Sequence, residues 1–385
     1  MENTISQQET DRQYMLKALA LAEKGRYSTL PNPCVGCILT KNGTVIGSGY
    51  HKKAGTGHAE VNALADARNN SQNTEGATAY VTLEPCSHFG LTPPCAVALV
   101  NAGIKRVVCA MTDPNPLVSG KGFDILRKAG IEVSVGICEH EARCINVPFL
   151  YAMERQMPYV TQKMGVSLDG KIALSNGASK WITSPESRSD VQALRAEHQA
   201  IMTTADTVIA DDPSMNVRYA ELPDSVKNTV SRELITVPVK VIIDKRKALT
   251  GKEKIFTTSG RVILVYPSSS NDICEENVSD ALTIVRVPAV NDKQDIDVEK
   301  LLRYLNTLKI RNVLVESGPK FCRFMMEHNL VNRLILYMAP KLMGDDAVSF
   351  CGLTGYTAMD EIKSFRLANY KQIGNDIKLE YVIKE

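Results

Sequence analysis

Apolar residues recur along the chain in short blocks whose period switches between that of a helix and that of a strand. Tyr14, Leu16, Ala18, Leu19 and Ala22 follow roughly helical spacing and Gly25 supplies a stop, which predicts a helix over 11–24. Two β-rich runs, 35–40 and 44–49, flank Asn42-Gly43, the dipeptide that most strongly signals a tight hairpin. A helix over 58–68, a strand over 79–83, a helix over 95–102 and a strand over 106–111 are expected next. Helix 122–129 and strand 131–135 repeat the alternation, which implies an α/β/α sandwich around a mostly buried sheet. Residues 146–158 shift in composition, with Pro148, a short aromatic run and Pro158, and read as a junction between a domain of 1–150 and one of 151–385. Beyond it, strands are expected near 159–164, 239–244, 262–266, 283–287, 313–316 and 334–338, with a helix over 185–195. These imply a second α/β domain, three layers thick, with residues 221–232 as a polar, mobile loop.

Composition narrows the class. A chain of 385 residues is too long for one ordinary core, and 44% hydrophobic with 23% charged residues is the make-up of a globular protein. No apolar run approaches the roughly 20 residues that cross a bilayer, and the polar start from Met1 to Arg12 resembles neither a signal nor a transit peptide. A cytoplasmic location without membrane attachment is therefore expected, with the ten cysteines reduced and mostly serving as small core residues. Residues 1–150 carry 14 basic and 13 acidic side chains and the remainder 31 and 30, so neither half has the basic excess of a nucleic-acid binder.

Chemistry concentrates at His58-Ala59-Glu60, read with Pro85-Cys86 and Pro94-Cys95. An H-x-E followed by P-C and a second Cys marks the zinc-dependent base deaminases. On that reading His58, Cys86 and Cys95 hold Zn²⁺ with a fourth position open, and Glu60 moves protons instead of binding metal. Residues two apart point about 200° apart along a helix flank, so His58 and Glu60 can converge only at the helix tip. That tip also favours thiolate and carboxylate charge. Pro93-Pro94 has the composition of a second helix start, which places Cys95 at another tip. Two rivals stand: a deaminase of tRNA or DNA with a C-terminal binding domain, and a structural zinc module. The first lacks an aromatic-basic stripe, and the second needs four protein ligands. Cys34-Val-Gly-Cys37 has redox or zinc spacing but falls on an expected strand with no answering pair, and His88 reads as a loop hydrogen-bonding residue.

Longer stretches carry a resemblance. Asn32-Pro33-Cys34-Val35-Gly36, Gly57-His58-Ala59-Glu60, the run from Glu84 to Cys95 and Asp113-Pro114-Asn115-Pro116-Leu117-Val118 closely resemble the riboflavin-biosynthesis deaminase/reductase family, including its long insertion between the two cysteines. In the back half Lys163 with Ser167-Leu168-Asp169-Gly170, Ser179-Lys180-Trp181-Ile182-Thr183, Ala210-Asp211-Asp212-Pro213-Ser214 and Val315-Glu316-Ser317-Gly318 are similar to the same family's reductase module. The resemblance implies a cytidine-deaminase-like α/β/α domain followed by a dihydrofolate-reductase-like α/β domain. It further implies hydrolytic deamination of a diaminopyrimidine bearing a ribosylamino phosphate, then NADPH-dependent reduction of the ribosyl group to ribityl. Asn32 and His51 then match positions that contact the pyrimidine. Gly165, Trp181, Thr207, Asp211 and the turn Gly318, Pro319, Lys320 match the NADPH contacts, and Ser179, Arg195, Met215, Arg218 and Glu316 match those of the sugar-phosphate substrate. Lys163 and Glu316 are the expected polarising groups beside the reduced carbon. A homo-oligomer formed through the reductase domain is also expected. No Gly-x-Gly-x-x-Gly or Walker loop occurs, so only the strand-to-helix turn at Glu316-Ser317-Gly318-Pro319 hints from its residues at phosphate binding.

The sequence departs from the family at two places. Leu91 stands where a basic residue usually meets the substrate phosphate, so Lys52, Lys53 or Lys121 is expected to replace that cation. Thr203-Thr204-Ala205-Asp206-Thr207 stands where many relatives have glycines, which limits close backbone approach to a ligand.

Overall fold

The computed structural model describes residues 2–87, 93–115, 119–290 and 295–383, with side chains of the first helix described from Gln7 onward. His88 and Leu91 lie outside the described residues. The chain divides into two units, Met1–Gln156 joined by Thr229–Ile235, and Met157–Asn228 with Thr236–Glu385.

The first unit runs α1 (Glu2–Ala22), β1 (Gly36–Lys41), β2 (Thr44–Tyr50), α2 (Ala59–Asn69), β3 (Thr78–Val81), α3 (Cys95–Asn101), β4 (Arg106–Cys109), α4 (Lys121–Lys128), β5 (Glu132–Val135), α5 (Glu139–Ile145) and α6 (Val147–Arg155). Its sheet has the order β2-β1-β3-β4-β5, antiparallel through β2-β1-β3 and parallel through β3-β4-β5. The period of two decides which side chain meets which helix. Cys37, Leu39, Ala79, Val81, Val107 and Cys109 pack under α2, α3 and α4. Their neighbours Ile38, Tyr80 and Val108 pack against α1, α5 and α6. The expected hairpin forms, with Asn42 and Gly43 both at positive φ as a primed turn requires. Asp11 of α1 is tied to the sheet by Arg106, whose two terminal nitrogens each lie 2.8 Å from its carboxylate oxygens, and by the Tyr80 hydroxyl at 2.9 Å.

Residues 147–155, which read as junction, are helical instead. Phe149 and Leu150 are buried in the same cluster as Met15 and Val108, and that burial carries the first unit on to Gln156. Asn146, between α5 and α6, exchanges two hydrogen bonds with the backbone of Cys34 and so anchors the Asn32-Pro33-Cys34 segment.

The second unit opens with β6 (Tyr159–Ser167), β7 (Lys171–Ala173), α7 (Pro185–Ala196), β8 (Ala200–Thr204), α8 (Ala205–Asp211), α9 (Asp224–Lys227), β9 (Val239–Ile243) and α10 (Lys254–Thr257). It continues through β10 (Val262–Ser268), β11 (Cys274–Ser279), β12 (Leu282–Pro288), α11 (Val298–Thr307), β13 (Asn312–Val315), α12 (Pro319–Glu327), β14 (Arg333–Ala339), β15 (Val348–Ser349), β16 (Phe365–Ile373) and β17 (Asp376–Ile383). Ten strands form one sheet in the order β11-β12-β10-β9-β8-β13-β6-β14-β17-β16, while β7 and β15 pair separately. From β12 to β14 every pairing is parallel, and β11, β17 and β16 are added antiparallel at the ends. Val191 and Leu194 of α7 pack on Ile201, Ile242 and Leu314. The opposite face, with Val241, Val313 and Val315, packs on α11 and α12, which gives the expected three layers. Residues 221–232 are not a loose loop. They contain α9 and bury Val226 and Val230, because two apolar positions in a polar run suffice to pin it.

Candidate active sites

In the first unit, His58 is the residue immediately before α2 and has extended backbone (φ −72°, ψ 170°), while Glu60 lies in the helix's first turn. That break in backbone conformation lets two residues only two apart face one point. His58 Nδ1 lies 3.3 Å from Cys95 Sγ and 3.6 Å from Cys86 Sγ, and the three donor atoms are all within 4.8 Å of one another. Cys95 opens α3, and its backbone N–H donates to Cys86 Sγ at 3.3 Å. Bond lengths of about 2.0–2.3 Å to a tetrahedral ion would put neighbouring donors about 3.3–3.8 Å apart. The imidazole and two thiols therefore fit zinc in both chemistry and spacing. Among the described residues this is the only such cluster, and Cys34 and Cys37 do not join it.

The electrostatics fit the same use. Cys86 and Cys95 share a hydrogen bond that, with His58, draws the Cys86 thiol down and holds that of Cys95 up, so Cys86 is the readier thiolate of the pair. The hydrogen bond with Cys86 raises His58 in turn. Burial, with the Cys86 charge beside it, pushes the Glu60 carboxyl up to about 7. Asn32 and His51 meet beside these groups. His51 Nδ1 donates to Gly57 O at 3.2 Å, which leaves Nε2 to accept from Asn32 Nδ2 at 3.1 Å. The His51 ring stands edge-on to His58 with centroids 5.2 Å apart. Behind the Cys86 loop, buried Glu84 accepts the N–H groups of Asp113, Gly120 and Gly122 at 2.9–3.2 Å. Of the lysines expected to stand in for Leu91, Lys53 donates to Glu233 O at 3.3 Å and Lys52 lies over the Tyr50 ring.

In the second unit a cleft of about 1170 Å³ opens at the carboxyl ends of the parallel strands, where ligands of such sheets bind. All the reductase-half candidates line it. Lys163 and Gly165 come from β6, Ser179 and Trp181 from the segment after β7, and Arg195 from α7. Thr207 and Asp211 come from α8, Met215 and Arg218 follow it, and Glu316, Gly318, Pro319 and Lys320 form the turn from β13 into α12. The turns β8–α8 and β13–α12 lie side by side, since the Gly318 N–H donates to Thr207 Oγ1 at 3.2 Å. A Cβ on Gly318 would meet only that hydroxyl, at 3.9 Å, so the glycine leaves open space above a helix start. The Ser317 hydroxyl is buried without a hydrogen-bond partner among the described residues. An open helix N-terminus beside an unsatisfied hydroxyl fits a dinucleotide's phosphates. The threonines at 203–207 do not block it, because Thr204 and Thr207 face each other at 3.3 Å within the α8 turn.

Glu316 is buried at the end of β13. Arg195 holds it with a fork of 2.6 and 3.1 Å, and Lys163 Nζ lies 3.6 Å from it. Burial alone would raise its carboxyl, but Arg195 and then Lys163 outweigh that and bring it down to about 2. The Arg195 fork, expected to grip phosphate, is thus occupied by a carboxylate, and its Nη1 donates to Asn216 O at 3.1 Å. Arg218 bonds Glu221 at 2.6 Å and Ser214 at 3.2 Å. Among the lining residues not singled out from the sequence are Arg188 and Tyr337. Arg188 lies seven residues before Arg195, a helical spacing that would have drawn attention to it, and Tyr337 lies in a strand whose unbroken apolar run hid it.

Comparisons with known proteins match each unit to a family. Residues 8–111 match the model of the cytidine and deoxycytidylate deaminase zinc-binding region, and residues 158–379 match that of the RibD C-terminal domain. The riboflavin biosynthesis protein RibD of Haemophilus influenzae is 44% identical over 376 residues, covering 96% of this chain and 97% of that protein. That of Escherichia coli is 41% identical over 372 residues, covering 97% and 99%. Among solved structures, Acinetobacter baumannii RibD is 40% identical with a TM-score of 0.87, covering 98% of this chain and all of that one. The Thermotoga maritima diaminohydroxyphosphoribosylaminopyrimidine deaminase/5-amino-6-(5-phosphoribosylamino)uracil reductase is 32% identical with a TM-score of 0.83 over the same shares. With a zinc-type donor set in one unit, a nucleotide-sized cleft in the other and likeness along nearly its whole length, the chain belongs to the RibD family of riboflavin biosynthesis proteins.

Proposed function

We infer that the chain catalyses two consecutive steps on a pyrimidine ribose phosphate, a zinc-dependent deamination in the first unit and an NADPH-dependent reduction in the second. The observation that carries the first step is the meeting of His58, Cys86 and Cys95 beside a buried carboxylate that is not one of the three donors. Zinc bound there supplies Lewis acidity that makes water nucleophilic near neutral pH. Glu60 takes one proton from the attacking water and passes it to a ring nitrogen, then carries the remaining proton of the added hydroxyl to the amine as the C–N bond breaks, so that C–NH₂ and water become C=O and ammonia. Burial raises its carboxyl above the ordinary carboxylate range, which suits a group that both takes up and releases a proton. Asn32, with its amide nitrogen bonded to His51, can offer Oδ1 as acceptor to the pyrimidine edge.

In the second unit bound NADPH supplies the hydride to the first carbon of the ring-opened ribosyl group. Lys163 donates toward the opened imine nitrogen, and Glu316, kept anionic by Arg195, holds that ammonium in place and accepts from sugar hydroxyls. Homo-oligomerisation through the second unit is supported by β16, an edge strand that exposes Leu367 and Tyr370. Light scattering of the purified chain tests it. A cytoplasmic setting is consistent with the absence, among the described residues, of any helix long and apolar enough to cross a membrane.

The test feeds purified protein the diaminopyrimidine ribosylamino phosphate with and without NADPH, following ammonia and cofactor absorbance separately. Ammonia should appear without NADPH, and NADPH oxidation should follow it. Glu60→Gln should keep zinc yet release no ammonia, and an active Glu60→Gln protein would overturn the assignment.

A further inference from the structure

Trp181 is the chain's single tryptophan, and it is 66% exposed although it lines the cleft of the second unit. A large ring left uncovered on the wall of a cleft is available for a ligand to cover. The backbone that carries it, between β7 and α7, is neither helix nor strand, so its polar groups need partners from outside the segment.

Side chains supply them. Lys341, which follows β14, donates from Nζ to Trp181 O at 2.8 Å and to Ile182 O at 2.7 Å. Arg188 Nη1 donates to Thr183 O at 2.9 Å. Asp376, buried at the start of β17, accepts the Ser184 N–H at 2.7 Å and the Ser187 hydroxyl at 2.6 Å. The stretch from Trp181 to Ser184 is thus a strap, held residue by residue from three other places in the fold. It also lies against β6 at Gly165, where a Cβ would come within 3.3 Å of Thr183 Cγ2.

The holders differ in what else they do. The Arg188 guanidinium covers the Trp181 ring itself, 4.4 Å from the centroid, and Asp376 tethers the first turn of α7 through Ser187. Changing either would disturb more than the strap. Lys341 is exposed and does not line the cleft. Its own backbone is fixed without the ammonium. The Lys341 carbonyl accepts the Leu168 N–H at 2.8 Å, and Asp169 accepts the N–H groups of Met343 and Gly344. A lysine so placed acts on a ligand in the cleft only through the carbonyls it holds.

We propose that Lys341 is a positioning residue of the reductase centre, whose ammonium clamps the carbonyls of Trp181 and Ile182 and so fixes the Trp181 ring as a wall for NADPH. This rests on the reading of the second unit as an NADPH-dependent reductase. Without the clamp the strap keeps its covalent ends but samples more conformations, and the cofactor has to order it on binding. Lys341 touches no reacting atom, so the hydride step should proceed at its usual rate once NADPH is bound.

Because Trp181 is the only tryptophan, its fluorescence reports on the strap alone. Time-resolved anisotropy of the full chain without ligands compares the wild type with Lys341→Met and Lys341→Arg. Lys341→Met should let Trp181 reorient faster, and Lys341→Arg, which keeps donors for both carbonyls, should restore most of the slow decay. With the deaminated substrate, Lys341→Met should raise KM for NADPH about 5–30-fold. It should leave kcat near the wild-type value and ammonia release unchanged, and Lys341→Arg should recover most of the loss. Equal anisotropy in wild type and Lys341→Met overturns the proposal, whatever happens to KM, because Lys341 would then not act through Trp181. An unchanged KM, a loss confined to kcat, or Lys341→Arg as impaired as Lys341→Met overturns it as well. A wild type that oxidises no NADPH overturns the reductase reading instead, while the anisotropy comparison still decides whether the clamp exists.

Discussion

Glu316 and His198 show how burial and the partners at hand together decide charge at single residues. Replacing Glu316 by Gln removes the counter-charge of a buried arginine, and breaking such a pair costs about 3–5 kcal/mol. Glu316→Gln should therefore lower the unfolding free energy of the second unit by about that amount, read by denaturant titration, and abolish NADPH oxidation. Arg195→Met should do much the same, because Glu316 would lose the partner that keeps it anionic. His198 is wholly buried between Leu194 O and Thr161 Oγ1, and burial pushes its pKa down to about 4. Between pH 6.5 and 4 the unfolded chain binds a proton there that the folded chain does not. Stability should consequently fall as the pH drops through that window, by up to about 1.4 kcal/mol per pH unit from this group. His198→Gln should show a smaller difference between denaturation midpoints at pH 7 and pH 4.5.

At the scale of elements, the cluster of His58, Cys86 and Cys95 leans on α4 although α4 contributes none of its donor atoms. A Cβ on Gly122 would lie 2.0 Å from Pro85 O, and the Gly122 N–H donates to Glu84. Gly122→Ala should displace the Pro85-Cys86 loop and lower zinc content, measured by elemental analysis, with ammonia release falling in parallel. Elements written by local pattern were legible in the sequence. The Asn42-Gly43 hairpin, the helix after His58 and the Pro-Pro start before Cys95 all formed near their expected places. Elements that depend on distant partners were not. β16 exposes most of its side chains, so no alternation marks it, and its pairing with β17 decides its form. Residues 147–155 look like a linker until Phe149 and Leu150 are seen against α1. The convergence of His58, Cys86 and Cys95 was readable because type and spacing encode it. Arg188 was not, because an arginine on an amphipathic helix reads as a solvated charge until Trp181 is found beneath it.

At the scale of the whole molecule, the two chemistries sit on separate cores and should respond separately to metal. Removing zinc with a chelator should stop ammonia release while leaving NADPH oxidation with the already deaminated substrate. Loss of both would mean that the metal also supports the second unit. The division into units is not a division of the chain, however, because Thr229–Ile235 belongs to the first unit although 72 residues of the second precede it. Val230, within that stretch, is buried. A gene truncated after codon 156 would thus encode an amino-terminal half deprived of one strip of its own covering. Such a fragment is expected to be less soluble than the intact polypeptide, and supplying residues 229–235 on a grafted tether is the repair that the architecture recommends to anyone wishing to use the deaminase alone.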